Sequence, residues 1–298
     1  MINPRCTGFP AKVWIAFLVI GTAAQAIWAQ SEIRFRLVNN LVIISLKSNH
    51  AGPYDFVMDT GADTTVIDSS IAPGLSFSPL DHIRQTTLSG VQTVTRGSIP
   101  SLSVGTVEVD NIDALVRDLS VLRKMDIHIE GILGQNFLSH FNYLLDYGEQ
   151  MVRIEVGSEI QNSVEGDHVS IDGREHRMLV TSEAQTRGNA RLQLMLDSGA
   201  GCLVLMPRAV QELNLPKQGN ELESTSNGRV ELHTTRIRAL AVGSQHLHNL
   251  NAVLSNIEPA ERIGDGMLPT VLFRALYVNN QENFVVFNPR IKGRAHSQ

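Results

Sequence analysis

The sequence predicts a mostly β protein made of two homologous lobes, and three observations support this fold class. The chain is duplicated, because residues 59–62 read Asp-Thr-Gly-Ala and residues 197–200 read Asp-Ser-Gly-Ala, 138 positions later. Short runs rich in Val, Ile and Leu alternate with turn residues, as is typical of β-strands. Helical signals are few: Pro207 to Leu213 is predicted to be a short helix beginning at a proline, and Gly134 to Phe141 is predicted to be another.

The first segment of the chain is predicted to be an export signal. Arg5 and Lys12 form a positive region, Val13 to Ile20 are apolar, and residues 24–26 (Ala-Gln-Ala) fit a cleavage site. The alternative is an uncleaved anchor, since Val13 to Ala29 covers about 17 residues, the short end of a membrane span. Residues 1–29 therefore predict an exported protein, periplasmic or secreted, that contacts a membrane only if this segment is retained.

The repeat divides the remaining chain into a first lobe at residues 31–156, a polar linker at 157–167 and a second lobe at 168–291. An ungapped overlay of residues 59–114 on the chain 138 positions later gives 13 identities over 56 positions. Ordinary composition gives about three or four. The predicted strands are Leu41–Leu46, Tyr54–Met58, Leu102–Val109 and Met151–Val156, then Met178–Thr181, Leu192–Leu196, Ile237–Val242 and Phe284–Phe287.

Composition argues against several classes of protein. The chain of 298 residues is 43% hydrophobic, enough to bury a core, and its net charge is −5. It has no basic run interleaved with aromatics, so no nucleic-acid partner is expected. The two cysteines are Cys6, inside the predicted leader, and Cys202, so neither an internal disulfide nor a zinc-finger site is expected.

Two further groups of polar residues have side chains that can bind metals but lack the spacing of a known metal site. Asp63 and Asp68 follow Asp59, but the spacing lacks the glycine and final glutamate of an EF-hand loop. His246 and His248 share one strand face by alternation, and no third ligand is evident. We expect no metal and no cofactor, and a solvated surface at the two histidines.

The repeated aspartates stand in apolar frames. Phe56 to Met58 precede Asp59, and Leu194 to Leu196 precede Asp197. Burying a charge is expensive unless something compensates it. If a pseudo-twofold axis relates the lobes, the two carboxyl groups share one site and hold one proton between them. Such a pair contains a base that activates a water and an acid that protonates a carbonyl or leaving amine. The pattern therefore predicts hydrolysis of an amide without a covalent intermediate.

This pattern resembles that of the pepsin and retropepsin class of aspartic peptidases. The class has apolar-apolar-Asp-Thr/Ser-Gly-Ala followed some distance later by apolar-apolar-Gly, here residues 132–134 (Ile-Leu-Gly). Asp146 lies in a following Phe-x-x-x-x-Asp stretch. The resemblance covers both lobes and implies closed, barrel-like β lobes of the acid protease fold, with a substrate cleft between them.

The resemblance also implies a set of site residues and a polypeptide substrate bound by a single chain acting as a monomer. Thr60 and Ser198 are expected to brace the two loops by hydrogen bonds, and glycine-containing hairpins are expected to form flaps over the substrate. The expected catalytic residues are Asp59 and Asp197; the expected loop supports are Thr60, Gly61, Ala62, Ser198, Gly199, Ala200 and Gly134; the expected flap residues are Ser89, Gly90, Asn227 and Gly228.

Two departures from the class bear on these expectations. Pro269 stands where the first lobe has Gly134, which predicts an imperfect second supporting loop. Neither flap carries the tyrosine of pepsins, which favours a fused retropepsin-like pair.

A finer expectation concerns pH. Many acid-acting relatives have Ser or Thr where this chain has Ala62 and Ala200. A hydroxyl there donates to the carboxylate and lowers its pKa. We therefore expect a pH optimum in the weakly acidic to neutral range, and a pH–rate profile peaking below about 3 would contradict this.

Two alternatives share the same fold. One is a catalytically inactive peptide-binding protein, which replacement of either aspartate by asparagine distinguishes from an enzyme. The other is a membrane-tethered structural or assembly protein, on which the position of the mature N-terminus bears.

Overall fold

The computed structural model describes residues 31–49, 51–87, 90–156, 158–173, 177–186, 188–225, 228–255 and 264–292. The predicted leader at residues 1–29 lies outside these ranges. Among the helices within them, none has the length and apolar character needed to cross a bilayer.

The first lobe is built almost entirely of strands, with two short helices. Its elements are β1 (Ser31–Arg34), β2 (Arg36–Val38), β3 (Leu41–Ser48), β4 (Ala51–Met58), β5 (Thr65–Asp68), β6 (Ser78–Thr87), β7 (Gly90–Val104), β8 (Val107–Arg117), α1 (Ser120–Arg123), β9 (Ile129–Leu133), α2 (Gln135–Leu138), β10 (Tyr143–Asp146) and β11 (Met151–Ile154).

The segment predicted to be a polar linker has structure of its own. It forms α3 (Glu159–Ser163) and β12 (Val164–Glu165). Ile160 of α3 is buried in an apolar cluster with Leu144 and Tyr277. The connection therefore packs onto the lobes, and the position of the lobe boundaries within it stays a prediction.

The second lobe repeats the first. Its elements are β13 (Val169–Asp172), β14 (Leu179–Gln185), β15 (Asn189–Asp197), β16 (Leu203–Leu205), α4 (Pro207–Glu212), β17 (Gly219–Thr225), β18 (Gly228–Val242), β19 (Gln245–Leu254), β20 (Gly266–Pro269), a 3-10 turn (Thr270–Leu272), β21 (Ala275–Asn279), β22 (Phe284–Phe287) and β23 (Arg290–Ile291). Strand β23 pairs with β12 of the connection.

Each lobe contains a ring of six paired strands. In the first lobe the order is β3-β4-β9-β5-β8-β7, and β7 returns to β3 through Lys47 and Ser103. In the second lobe the order is β14-β15-β20-β16-β19-β18, and β18 returns to β14 through Ala239 to Ala241. The rings correspond strand for strand. The predicted fold class of two homologous, closed-barrel-like β lobes is confirmed.

A six-stranded antiparallel sheet joins the lobes in the order β1-β11-β10-β21-β22-β13, and through the pairing of β13 with β14 it continues into the ring of the second lobe. Its central pair is β10 with β21, where Tyr143 lies opposite Val278 and Asp146 opposite Ala275. Because side chains alternate across a strand, Leu145 and Leu276 face the main core, which contains residues of both lobes. The opposite face packs against α3. The lobes therefore share one continuous apolar core.

One predicted strand is wrong in its bounds. Residues 102–109 were expected to be a single strand, but β7 ends at Val104 and β8 begins at Val107. Gly105 between them has a φ of +60°, which reverses the chain, and its repeat partner Gly243 has a φ of +51°. The apolar pattern continues through the turn because both arms face the core. The predicted helix at Pro207–Leu213 is confirmed as α4, and the one at 134–141 is shorter, α2.

Candidate active site

Two parallel strand pairs carry the repeated loops to the centre of the molecule. Strand β4 runs parallel to β9, and the backbone N–H of Asp59 donates to the carbonyl oxygen of Leu133 at 3.0 Å. Strand β15 runs parallel to β20, with Asp197 opposite Pro269. The last residues of β4 and β15 are fully buried, since these strands end inside the molecule. Each aspartate is therefore fixed at the end of a rigid, desolvated strand.

Thr60 and Ser198 hold the two loops together through reciprocal hydrogen bonds. The Thr60 hydroxyl donates to the Leu196 carbonyl at 2.9 Å and accepts from the Ser198 N–H at 3.0 Å. The Ser198 hydroxyl donates to the Met58 carbonyl at 2.7 Å and accepts from the Thr60 N–H at 3.0 Å. Both side chains are buried. Each loop thus bonds both to its counterpart and to the strand that leads into that counterpart.

The glycines of the two loops allow the carboxyl groups to meet. A Cβ atom built on Gly61 would lie 2.6 Å from Cγ of Asp197, and one on Gly199 would overlap the carboxyl group of Asp59. Any side chain larger than hydrogen is therefore excluded at both positions. Each aspartate also accepts a backbone N–H from its own loop, Asp59 from Gly61 at 2.9 Å and Asp197 from Gly199 at 2.8 Å.

The environment raises the pKa of both aspartates. Burial is the main cause of the raised pKa of Asp59, opposed by hydrogen bonds from Gly61 and from Asp197. Burial, followed by the negative charge of Asp59, raises the pKa of Asp197 well above its usual range. Because each carboxyl group influences the ionisation of the other, the pKa values belong to the pair.

Gly134 lies where the backbone of the first loop passes closest. A Cβ atom on it would lie 2.8 Å from the carbonyl oxygen of Ala62, and its N–H donates to Oγ1 of Thr65 at 3.2 Å. The next residue, Gln135, donates its N–H to the Ala62 carbonyl at 2.7 Å. Gly134 and Gln135 therefore support the turn that presents Asp59.

The second supporting loop differs at two matching positions. Pro269 occupies the place of Gly134, and Leu203 occupies the place of Thr65, 138 residues later. Proline has no N–H to donate, and leucine offers no acceptor. The pairing of β15 with β20 continues to Pro269. The loss of the donor is thus matched by the loss of its acceptor, so no polar group is left without a partner by this change.

Sequence reasoning missed two buried polar residues beneath the loops. Gln135 donates its side-chain amide to the Thr60 carbonyl at 3.2 Å. Its counterpart Thr270 shares a hydrogen bond of 2.6 Å with the Tyr147 hydroxyl. Both follow directly on the Gly134 and Pro269 positions. That shared place in the repeat is the signal that identifies them.

The predicted flaps are two β-hairpins. Strands β6 and β7 pair as far as Thr87 opposite Gly90, and β17 and β18 pair as far as Thr225 opposite Gly228. Both glycines therefore begin a strand. Ser89 and Asn227 lie outside the described residues. The hairpins occupy corresponding places in the two lobes, and their role as substrate flaps stays a prediction.

Among the remaining candidates, Asp63 and Cys202 adjoin the two aspartate loops in the chain, whereas Asp68 ends β5 and the two histidines lie on β19. Within the part of the chain that the structure describes, no three His, Cys, Asp or Glu side chains are grouped so as to hold a metal ion. Asp68 forms an ion pair with Arg123, and His246 and His248 are exposed. Cys202 is half-buried and packs in a small apolar cluster.

A family model described as aspartyl protease matches the chain twice, at residues 44–137 and 182–272. Each match contains one of the repeated aspartate loops together with its supporting loop. A comparison with curated proteins finds no match.

Proposed function

This chain belongs to the aspartyl protease family, and from that membership we propose that it is an endopeptidase in which Asp59 and Asp197 activate a water against a peptide bond. The observation that carries the proposal is the reciprocal hydrogen bonding of Thr60 and Ser198, which holds together the loops of Asp197, which is buried, and Asp59, which is half-buried. The surrounding loops are rigid, so the site is organised before substrate arrives.

The two carboxyl groups take complementary roles in this mechanism. Burial and the charge of Asp59 favour the proton on Asp197, and the hydrogen bond from Asp197 favours the charge on Asp59. Asp59 accepts a proton from water as the water oxygen bonds to the carbonyl carbon, while Asp197 gives its proton to the carbonyl oxygen. In the second step Asp59 gives its proton to the nitrogen and Asp197 takes back a proton from a hydroxyl of the tetrahedral diol as the carbon–nitrogen bond breaks. An acid and an amine leave, and both carboxyl groups return to their starting states. No bond to the protein forms at any stage.

We propose a polypeptide substrate that lies across the cleft between the lobes, beneath the β6–β7 and β17–β18 hairpins. An extended peptide gains main-chain hydrogen bonds by adding to a sheet edge. Strands β6 and β17 end the order of their sheets, and β7 and β18 are the longest strands described. We also propose that the protein is exported, which identification of the mature N-terminus tests.

Digestion of a peptide library by the mature protein tests the activity. We expect cleavage that a pepstatin-type inhibitor blocks and that Asp59→Asn and Asp197→Asn each reduce by at least about 10³-fold, because either change removes the base or the acid. Glu165→Gln, which also removes a carboxylate charge but at an exposed ion pair with Lys292 on β12, is the control and should keep the activity.

The same experiment separates the inactive alternative. Binding of library peptides by the wild-type protein without cleavage would contradict the proposed activity. Cleavage that persists in both Asn variants would contradict the assignment of Asp59 and Asp197.

A further inference from the structure

The segment Arg177–Met178, which leads into β14 of the second lobe, lies against the catalytic loop of the first lobe. The Met178 carbonyl accepts the N–H of Leu196 at 2.9 Å, which fixes the segment to β15. The Met178 sulfur accepts a hydrogen bond at 2.7 Å from Gln135, the residue that also donates to Thr60. The segment therefore contacts the strand behind Asp197 and the support behind Asp59 at the same time.

Arg177 reaches further along the same loop. Its side chain is 9% exposed, and Nη2 lies 3.7 Å from Oδ2 of Asp63, which is 47% exposed. Asp63 comes four positions after Asp59 in the chain. An arginine so deeply buried is held in place, so its charge acts on this loop at a fixed position.

The repeat retains this contact on the other side without the charges. The residue 138 positions before Arg177 is Asn39, and the residue 138 positions after Asp63 is Gly201. There, Nδ2 of Asn40 donates to the Gly201 carbonyl at 3.4 Å. Each lobe thus reaches across to the catalytic loop of the other. Of these two contacts, the one beside Asp59 is an ion pair and the one beside Asp197 is neutral.

The charge of Asp63 acts on the catalytic pair. It is among the causes that raise the pKa of Asp59, after burial and the opposing hydrogen bonds. Asp59 and Asp197 also influence each other, and the charge of Asp197 contributes, after burial, to the raised pKa of Tyr147. Arg177 is the cation paired with Asp63, so its charge opposes that of Asp63 at Asp59.

We propose that Arg177 is a positioning residue of the proposed catalytic site, which holds the first loop against the second lobe and offsets the charge of Asp63 beside Asp59. The second lobe thereby influences the ionisation of the first lobe's aspartate through a charged contact, whereas the contact from Asn40 to Gly201 on the other side is neutral. The kinetic test of this proposal rests on the proposed function. Its predicted effect on proton binding rests only on the ion pair between Arg177 and Asp63.

Four variants test it through the acid limb of the pH–rate profile, where protonation of Asp59 stops catalysis. Arg177→Met removes a positive charge that opposes the charge of Asp63, so the limb should move up by about 0.5 to 1 pH unit. Asp63→Asn removes that charge, so the limb should move down by a comparable amount. The double variant should return close to the wild-type limb, because both charges are gone. Arg177→Lys should keep most of the wild-type profile.

Arg208→Met is the matched control, because Arg208 is also ion-paired but is exposed and lies on α4. It should leave the limb in place. Limbs that stay fixed in both single variants, or that move in the same direction, would overturn the proposal even if activity or stability falls. A fall in rate at every pH without a shift of the acid limb would show that the contact is merely structural, and it would also overturn the proposal.

A second readout keeps the test independent of peptidase activity. The pH dependence of Tm is compared between the wild-type protein and a variant carrying both Asp59→Asn and Asp197→Asn, and the difference reports proton binding by the pair. Arg177→Met should move the pH at which this difference develops upward, and Asp63→Asn should move it downward. A protein that shows these shifts but cleaves nothing would contradict the proposed function and support the inference. Absence of the shifts would overturn the inference whatever the activity.

Discussion

At the residue scale, Asp59 and Asp197 differ from the buried carboxylate of Asp68 in the groups that surround them. Asp68 is also buried, yet hydrogen bonds from Ser70 and Leu119 and the cation of Arg123 outweigh burial and lower its pKa. Asp197 instead faces a second carboxyl group, so burial and like charge both raise its pKa. The surroundings therefore favour the charged form of Asp68 and the protonated form of Asp197.

This difference predicts opposite effects on stability. A carboxyl group whose pKa is raised on folding contributes stability that is present below the unfolded pKa and is lost as the pH rises through the folded pKa. We therefore expect Asp197→Asn to raise Tm at pH 7 to 8, by roughly 2–4 °C for each kcal/mol gained in the free energy of unfolding. The gain should shrink as the pH falls through the raised folded pKa and be absent below about pH 4, near the pKa of an unfolded Asp. Thermal unfolding across this pH range is the measurement.

Asp68→Asn is the control for that prediction. Because the pKa of Asp68 is lowered on folding, its contribution to stability is present above the unfolded pKa and is lost as the pH falls through the folded pKa. The substitution should lower Tm at neutral pH. A loss of Tm at neutral pH in both variants would show that the pair carries no buried charge cost.

At the element scale, four strands end at the loops that surround the two aspartates. Strands β4 and β15 each end at the loop of a proposed catalytic aspartate, and their parallel neighbours β9 and β20 each end at a supporting loop. Four chain segments therefore converge on one point, and the carboxyl groups depend on hydrogen bonds between segments that are distant in sequence. The substitution of Gly134 by Pro269 in the second lobe is accommodated because Leu203 replaces Thr65 at the facing position.

The bonds of Thr60 give a prediction at this scale. Thr60→Val keeps the shape of the side chain but removes a hydroxyl that donates to Leu196 and accepts from Ser198. Because the buried partners are left unsatisfied, we expect a loss of about 1–3 kcal/mol in the free energy of unfolding. We also expect a lower kcat/KM, because the loops are no longer held in register. Urea unfolding and steady-state kinetics measure the two effects.

Two variants serve as controls for this prediction. Thr60→Ser retains the hydroxyl and should restore most of both quantities. Ser45→Ala removes an exposed hydroxyl bonded to Asp55 and should cost little. Equal effects of Thr60→Val and Ser45→Ala would show that the bonds between the loops add nothing to the site.

At the scale of the whole molecule, both halves of the proposed site belong to one chain. The six-stranded sheet and the continuous apolar core hold the lobes in a fixed relation. Because each lobe supplies one aspartate, a single chain completes the pair.

We therefore expect a monomer whose specific activity does not change with enzyme concentration. Size-exclusion chromatography with light scattering and a dilution series of rates measure this. Mixing the Asp59→Asn and Asp197→Asn variants should restore no activity, since each chain holds one intact half and one altered half. Recovery of activity in the mixture would show that lobes exchange between chains and would contradict the monomer.

The sequence by itself determined the duplication, the mostly β fold class, helix α4 and the two aspartates as the residues of interest. These follow from local patterns and from comparison of the chain with itself, which need no knowledge of distant contacts. The end of β7 at Val104, the packing of α3, and the roles of Gln135 and Thr270 were decided only by tertiary structure. So was the ion pair between Arg177 and Asp63, which joins residues far apart in the chain. The physical reason is that burial and charge compensation depend on which segments meet in space, and local periodicity carries no record of that meeting.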